Sequence, residues 1–199
     1  MGCLRNIFRA VLLTLALVGF LSLGGKELVI GLVNNYFNPS KDVMLERAQK
    51  VGDFSKINDE FEIEKAAGIM GYNAVVAEHK ASGQKMFVVD SGDKAVLTVE
   101  DIKSDKAEEK LQKALSKIKY QAVSVENLKV TKHVVMNSYG KQVPYVKFEA
   151  RVKKLPIGDV GGIVSVAQIK DGEQRLLISV SEKNKYSQLI SDEFFRKIK

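Results

Sequence analysis

The longest uncharged apolar run in the chain is Ala10 to Leu23, with Arg5 and Arg9 before it and Gly24-Gly25-Lys26-Glu27 after it. Ala10, Leu12, Leu15, Leu17, Phe20 and Leu23 make residues 1–25 a signal-anchor or transmembrane segment. Positive charge on its N-terminal side predicts an inside N-terminus and an outside C-terminal domain, hence a single-pass protein of the cell membrane. The run is shorter than the roughly 20 residues of a spanning helix, so a secreted or periplasmic protein after signal cleavage is the alternative. Retention is favoured because no Ala-x-Ala follows the run, and because Leu28-Val-Ile-Gly-Leu-Val33 resumes it after only two charges.

Residues 26–53 read as an amphipathic helical stalk. Leu28, Leu32, Val33, Tyr36 and Phe37 fall at helical spacing, Asn38-Pro39 interrupts, and Ser40 caps a second helix carrying Val43, Met44, Ala48 and Val51 up to Gly52. Packing of that second helix on the domain core is an equal alternative. From residue 54 the period changes to two. Phe61–Ala66, Ala74–Lys80, Lys85–Asp90 and Ala95–Val99 read as short strands joined by tight turns, the first of them also compatible with a helix. Asp105, with Glu108 three residues on, then opens a helix whose stripe is Ala107, Leu111, Ala114, Leu115 and Ile118.

A second β block spans Leu128 to Ser181. Val146, Phe148, Ala150 and Val152 alternate with Lys147, Glu149, Arg151 and Lys153, the signature of a half-buried strand, paired to Leu128–Met136 through a turn at Ser138-Tyr139-Gly140-Lys141. A loop over Lys154–Gly162, strands at Ile163–Ile169 and Arg175–Ser181, and a helix at about Tyr186–Ile198 complete the chain. The expected class is α+β: an N-terminal membrane helix, then an antiparallel sheet of two β blocks separated by a helix and closed by a C-terminal helix over residues 54–199. Arg175-Leu-Leu-Ile-Ser-Val180, Tyr186-Ser-Gln-Leu-Ile190 and Phe194-Phe195 carry a resemblance in topology to the PsbP-like fold. That resemblance implies an extracytoplasmic accessory or binding module and transfers no site residue.

The charge is uneven. Of a net +7, residues 102–199 carry 20 Lys and Arg against 11 Asp and Glu, +9, leaving −2 for the first 101 residues. This bias favours anionic surfaces. On a tethered protein, lipid headgroups or an envelope component rank ahead of nucleic acid, which is not expected as a partner. The bland alternative is a solvated Lys-rich surface.

Little in the chain points to chemistry. A lone Cys3 excludes an intramolecular disulfide, and His79 and His133 stand outside any paired zinc-ligand spacing, so neither metal nor cofactor is expected. No Gly-x-Ser-x-Gly elbow occurs, and Gly158-Asp-Val-Gly161-Gly162 lacks the Gly-Lys-Ser/Thr ending of a phosphate loop. The chain is therefore read as non-enzymatic. The candidate binding surface is the polar face of Lys147, Arg151 and Lys153 with Tyr145, joined by Lys129 or Lys132 across the hairpin. The leading expectation is a membrane-tethered extracytoplasmic binding or accessory module. The alternative is a carrier or sensor holding a small apolar ligand, with Lys154–Gly162 as its lid.

Overall fold

The computed structural model describes residues 41–69, 72–90, 97–116, 124–153, 159–170 and 172–199. The proposed anchor, with Ala10, Leu12, Leu15, Leu17, Phe20 and Leu23, lies outside them. Among the described residues no helix is long and apolar enough to cross a membrane.

The chain runs α1 (Lys41–Gln49), β1 (Phe61–Ile69), β2 (Tyr72–His79), β3 (Lys85–Asp90), α2 (Val99–Lys103), α3 (Ala107–Ser116), β4 (Ser124–Ser138), β5 (Lys141–Lys153), β6 (Asp159–Lys170), β7 (Glu173–Glu182) and α4 (Gln188–Lys197). All seven strands form one antiparallel sheet, ordered β1-β2-β3-β7-β6-β5-β4. The fold is α+β. The two β blocks meet where β3 pairs with β7, Phe87 opposite Ile178.

Helices cover both sheet faces. On face A, α1 and α4 contribute Ala48, Phe194, Phe195 and Ile198 to a core with Phe61, Met86, Met136, Ile163 and Leu177. On face B, Ile102 of α2 and Ala107 and Leu111 of α3 pack with Phe87, Phe148, Val164 and Ile178. This double cover explains why β3, β6 and β7 read as nearly unbroken apolar runs. The ring of Phe194 lies 5.3 Å from that of Phe61 on β1, while Met136 of β4 joins the same core, so the sheet curls around α4 from one edge strand to the other. Burying Phe194, Phe195 and Ile198 contributes roughly 2–3 kcal/mol each.

α1 belongs to this core. Ala48 and Val51 are buried, and the segment after the helix is stitched to the C-terminus by Asp53 N–H to Lys199 O (2.6 Å) and Lys199 N–H to Asp53 O (3.2 Å). Residues 41–53 thus pack on the domain, the alternative given equal weight for this helix. Arg175, 4% exposed, fastens the end of α1. Its guanidinium lies 3.1 Å from Asp90 Oδ1 and donates to the Val51 carbonyl (3.2 Å), where it complements the negative end of a helix.

Several expected boundaries move. Residues 97–99 are not the end of a strand, because Thr98 caps α2: its hydroxyl accepts from Asp101 N–H, and the Asp101 carboxylate accepts from Thr98 N–H. The expected box at Asp105 and Glu108 is absent, since the Glu108 carboxylate accepts from Val130 N–H at 2.8 Å instead. The hairpin turn is as expected. Tyr139 (φ 51°) and Gly140 (φ 70°) give the two positive φ values of a type I′ turn, whose twist matches its strands.

Asp159 to Gly162, expected in a loop, form the start of β6. A Cβ on Gly162 would strike the Ser179 carbonyl oxygen and lie 2.9 Å from the Phe148 ring, so this glycine permits close strand packing.

The start of α4 is held by a buried amide. Gln84 Nε2 shares its two hydrogens among the Ser187 carbonyl (3.0 Å), Ser179 Oγ (2.9 Å) and Ser191 Oγ (2.9 Å), and Gln84 Oε1 accepts from Ser187 N–H (2.9 Å). Replacing Gln84 by Leu removes this partner from both backbone groups of half-buried Ser187, whose carbonyl keeps the Ser191 hydroxyl at 3.3 Å, and should lower stability by about 2 kcal/mol in chemical denaturation. A loss below about 1 kcal/mol would show that the amide is dispensable.

Candidate anionic-partner face

Side chains of β5 at odd positions point to face A. Tyr145 sits under α4 and is only 4% exposed, whereas Lys147 and Glu149 are half-buried and Arg151 is exposed beyond the helix. Tyr145 therefore packs in the face A core and does not join the solvent face, because α4 covers that stretch of β5. Lys153 pairs in register with Ser124 at the far end of the strand.

The hairpin brings β4 lysines to the same face. Lys132 lies directly opposite Lys147, and Lys129 opposite Glu149. The face is not uniformly basic. Arg151 Nε contacts Asp159 Oδ1 at 2.9 Å, and Lys183 Nζ contacts Glu149 Oε2 at 2.7 Å, which raises the lysine's pKa first through that hydrogen bond. These exposed pairs contribute little to stability. Lys132 and Lys147, by contrast, have no carboxylate partner among the described residues. Lys183 and Asp159 escaped sequence reasoning, since only the β6–β7 register brings them beside β5.

The two histidines do not meet. His79 lies on face A, its ring 5.2 Å from Phe61 and its Nδ1 2.8 Å from Ser82 Oγ in the turn before β3. His133 lies on face B, where Nδ1 is 3.2 Å from the Ile102 carbonyl at the end of α2 and donates to it. Each ring has a local structural partner, with the whole sheet between them. Among the described residues no three His, Cys, Asp or Glu side chains are grouped to hold a metal ion. Carboxylates elsewhere on the chain are held by amides: Glu60 and Glu193 accept from Asn58, and Asp192 from Gln188.

One ionic cluster had no sequence signal. Lys85, at the head of an apolar run, is 5% exposed on face B, where its ammonium donates to Glu64 Oε1 (2.7 Å) and to the Glu78 carboxylate across the β2–β3 pair. Glu64 reaches it from a bulge in β1. Burial, then hydrogen bonding with Glu78, raises the Glu64 pKa above the ordinary value of 4.5, against the lowering effect of Lys85. One cation thus holds two carboxylates at the sheet surface. The arrangement is a cross-strand clamp, with the ammonium occupied by both partners.

No known protein family matches the chain, and no curated protein matches it in sequence.

Replacing Lys85 by Met leaves two glutamates facing each other, and should cost about 2 kcal/mol at neutral pH, less than for a fully buried pair because both carboxylates reach solvent. Glu64 already titrates above its unfolded value, so stability tied to its proton is present at low pH and lost as pH rises through the folded pKa. The Lys85→Met deficit should accordingly shrink as pH falls from neutral toward the carboxylate range. Denaturation at a series of pH values tests this; a deficit that stays constant or grows on acidification contradicts it.

Proposed function

We propose that this chain is a membrane-tethered, extracytoplasmic binding or accessory module, working without catalysing a reaction, and that the β4–β5 end of its sheet meets an anionic partner. The observation that carries the reading is the Lys132–Lys147 pair. Like charges directly opposite across two strands oppose folding, so this pair at an exposed sheet end is a feature that stability alone does not explain. Arg151, paired with Asp159, lies further along the same strand, and the +9 of residues 102–199 adds a broader positive field. The apolar run with Ala10, Leu12, Leu15, Leu17, Phe20 and Leu23 supports the tether, and its preceding arginines support an outside domain. The carrier reading has weaker support, because Phe194, Phe195 and Ile198 occupy the concave face that a ligand would need.

The test uses the full chain in neutral detergent, applied to poly-glutamate beads and to anionic phospholipid beads. Wild type should be retained on at least one of them with steep salt dependence, as expected for charges screened over about 8 Å at physiological ionic strength. The Lys132→Gln/Lys147→Gln/Arg151→Gln variant should elute at distinctly lower salt. Retention unchanged by the substitutions, or absent in wild type on both supports, contradicts the reading.

A further inference from the structure

The connection from β2 to β3 is closed by its backbone: His79 N–H donates to the Gln84 carbonyl (2.9 Å) and Gly83 N–H to the His79 carbonyl (2.8 Å), with Gly83 in the left-handed region (φ 69°). Side chains add a second layer. Ser82 N–H donates to His79 Nδ1 at 3.3 Å, and the Ser82 hydroxyl lies 2.8 Å from the same nitrogen. A backbone N–H aimed at Nδ1 requires a lone pair there, so the ring is neutral with its proton on Nε2, and the Ser82 hydroxyl donates to Nδ1 as well. The oxygen of that hydroxyl in turn accepts from Gln84 N–H at 3.3 Å.

Gln84 is the residue whose side chain holds both backbone groups of Ser187 at the start of α4. Two hydrogen bonds through Ser82 therefore join the imidazole to the residue that docks the helix. A ring contact leads the same way, since His79 lies 5.2 Å from Phe61, and Phe61 lies 5.3 Å from Phe194 of α4. The charged groups on this side are Lys80 in the turn, Glu60 ahead of β1 and Glu193 on α4, and both carboxylates accept from Asn58. Glu62, Glu64, Glu78 and Lys85 lie on face B, with the sheet between them and the ring.

We propose that His79 is a proton-operated latch on the start of α4. Histidine is the side chain that changes charge between about pH 5 and 8. A proton taken from solvent by Nδ1 of this half-buried ring turns the acceptor into a donor. Ser82 N–H then meets another N–H and loses its partner. The Ser82 hydroxyl, now receiving the imidazolium hydrogen, has to turn its own hydrogen elsewhere, and Gln84 N–H competes with the imidazolium for one oxygen. Neutral His79 keeps the turn shut and Gln84 in place. Protonated His79 frees the first turn of α4, while Phe194, Phe195 and Ile198 stay packed in the face A core. The latch is independent of the anionic-partner reading.

The experiment follows the full chain in neutral detergent by NMR from about pH 8 to about pH 5. It reads the His79 ring signals and the exchange protection of the Ser82, Gln84 and Ser187 amides, each corrected for the intrinsic pH dependence of exchange. The ring should titrate within that window, and the three amides should lose protection about tenfold with the same midpoint, as expected for one lost hydrogen bond. Amides of β7 should hold, which marks the change as local. His79→Asn puts an amide oxygen near the position of Nδ1 and cannot take the proton, so its Ser187 protection should stay level across the window. Ser82→Ala removes the hydroxyl that joins Nδ1 to Gln84, so the ring should still titrate while Ser187 no longer responds.

Four outcomes overturn the proposal. The His79 ring does not titrate in the window; or it titrates while Ser187 protection stays constant; or Ser82→Ala transmits the change to Ser187 unaltered; or His79→Asn loses protection as wild type does, which would assign the response to a carboxylate such as Glu64, whose pKa is raised by burial. If His79→Asn fails to fold, the coincidence of ring and amide midpoints in wild type, set against Ser82→Ala, decides.

Discussion

Gln84 pairs with the backbone of Ser187 as a strand residue would, accepting from its N–H and donating to its carbonyl, at the point where the chain leaves β7 and starts α4. The position is fully buried, so these groups have no water to fall back on. The same amide reaches Ser179 on β7 and Ser191 one turn into the helix, and the Tyr186 hydroxyl, whose pKa is pushed up by burial, closes the network on Ser191 at 3.0 Å. A polar network this complete sets one angle and one register for the helix. Given that angle, Phe194, Phe195 and Ile198 enter the concave face, and the sheet curls around them.

The placement of charge follows from this docking. α4 covers Tyr145 but not Lys147 or Arg151, so the helix divides β5 into a core half and a solvent half. Arg175 performs the matching task for α1, joining its last carbonyls to Asp90, while Tyr139 donates to the Val51 carbonyl at 2.8 Å. With helices on both faces, the β4–β5 end is one of the surfaces that the described residues leave uncovered, beside the edges of β1 and β4. The reading of the chain as a binding module draws on that division.

Much of the architecture was legible because local patterns agreed with the fold. The alternation along β5, the Ser138 to Lys141 turn and the stripe through Ile190, Phe194 and Ile198 each had one consistent solution. What was missed depends on neighbours distant in sequence. Tyr145 shares its parity with Lys147, and only the docking of α4 separates their fates. Ala95-Val-Leu-Thr-Val99 alternates like a strand, yet Thr98 and Asp101 form a capping box that wins locally. Gly162 looked like a loop residue because its purpose, room for Phe148 and the Ser179 carbonyl, lies on other strands. For the proposed binding face, the β5 lysines were visible in sequence and the Lys132–Lys147 opposition follows from the Ser138–Lys141 turn through an unbroken register, whereas Lys129 falls opposite Glu149 only because a bulge intervenes.

The central claim is that α4 is a fixed part of the core, whereas the edge strand β4 has no strand neighbour among the described residues. Native-state hydrogen exchange on the unliganded full chain tests it most directly. The account predicts that amides of Ser191 to Ile198 and of β7 exchange only through global unfolding, while those of His133, Val135 and Asn137 exchange orders of magnitude faster. Fast local exchange throughout α4 with β7 still protected would contradict it, by making the helix a lid over a cavity instead of the plug of the fold.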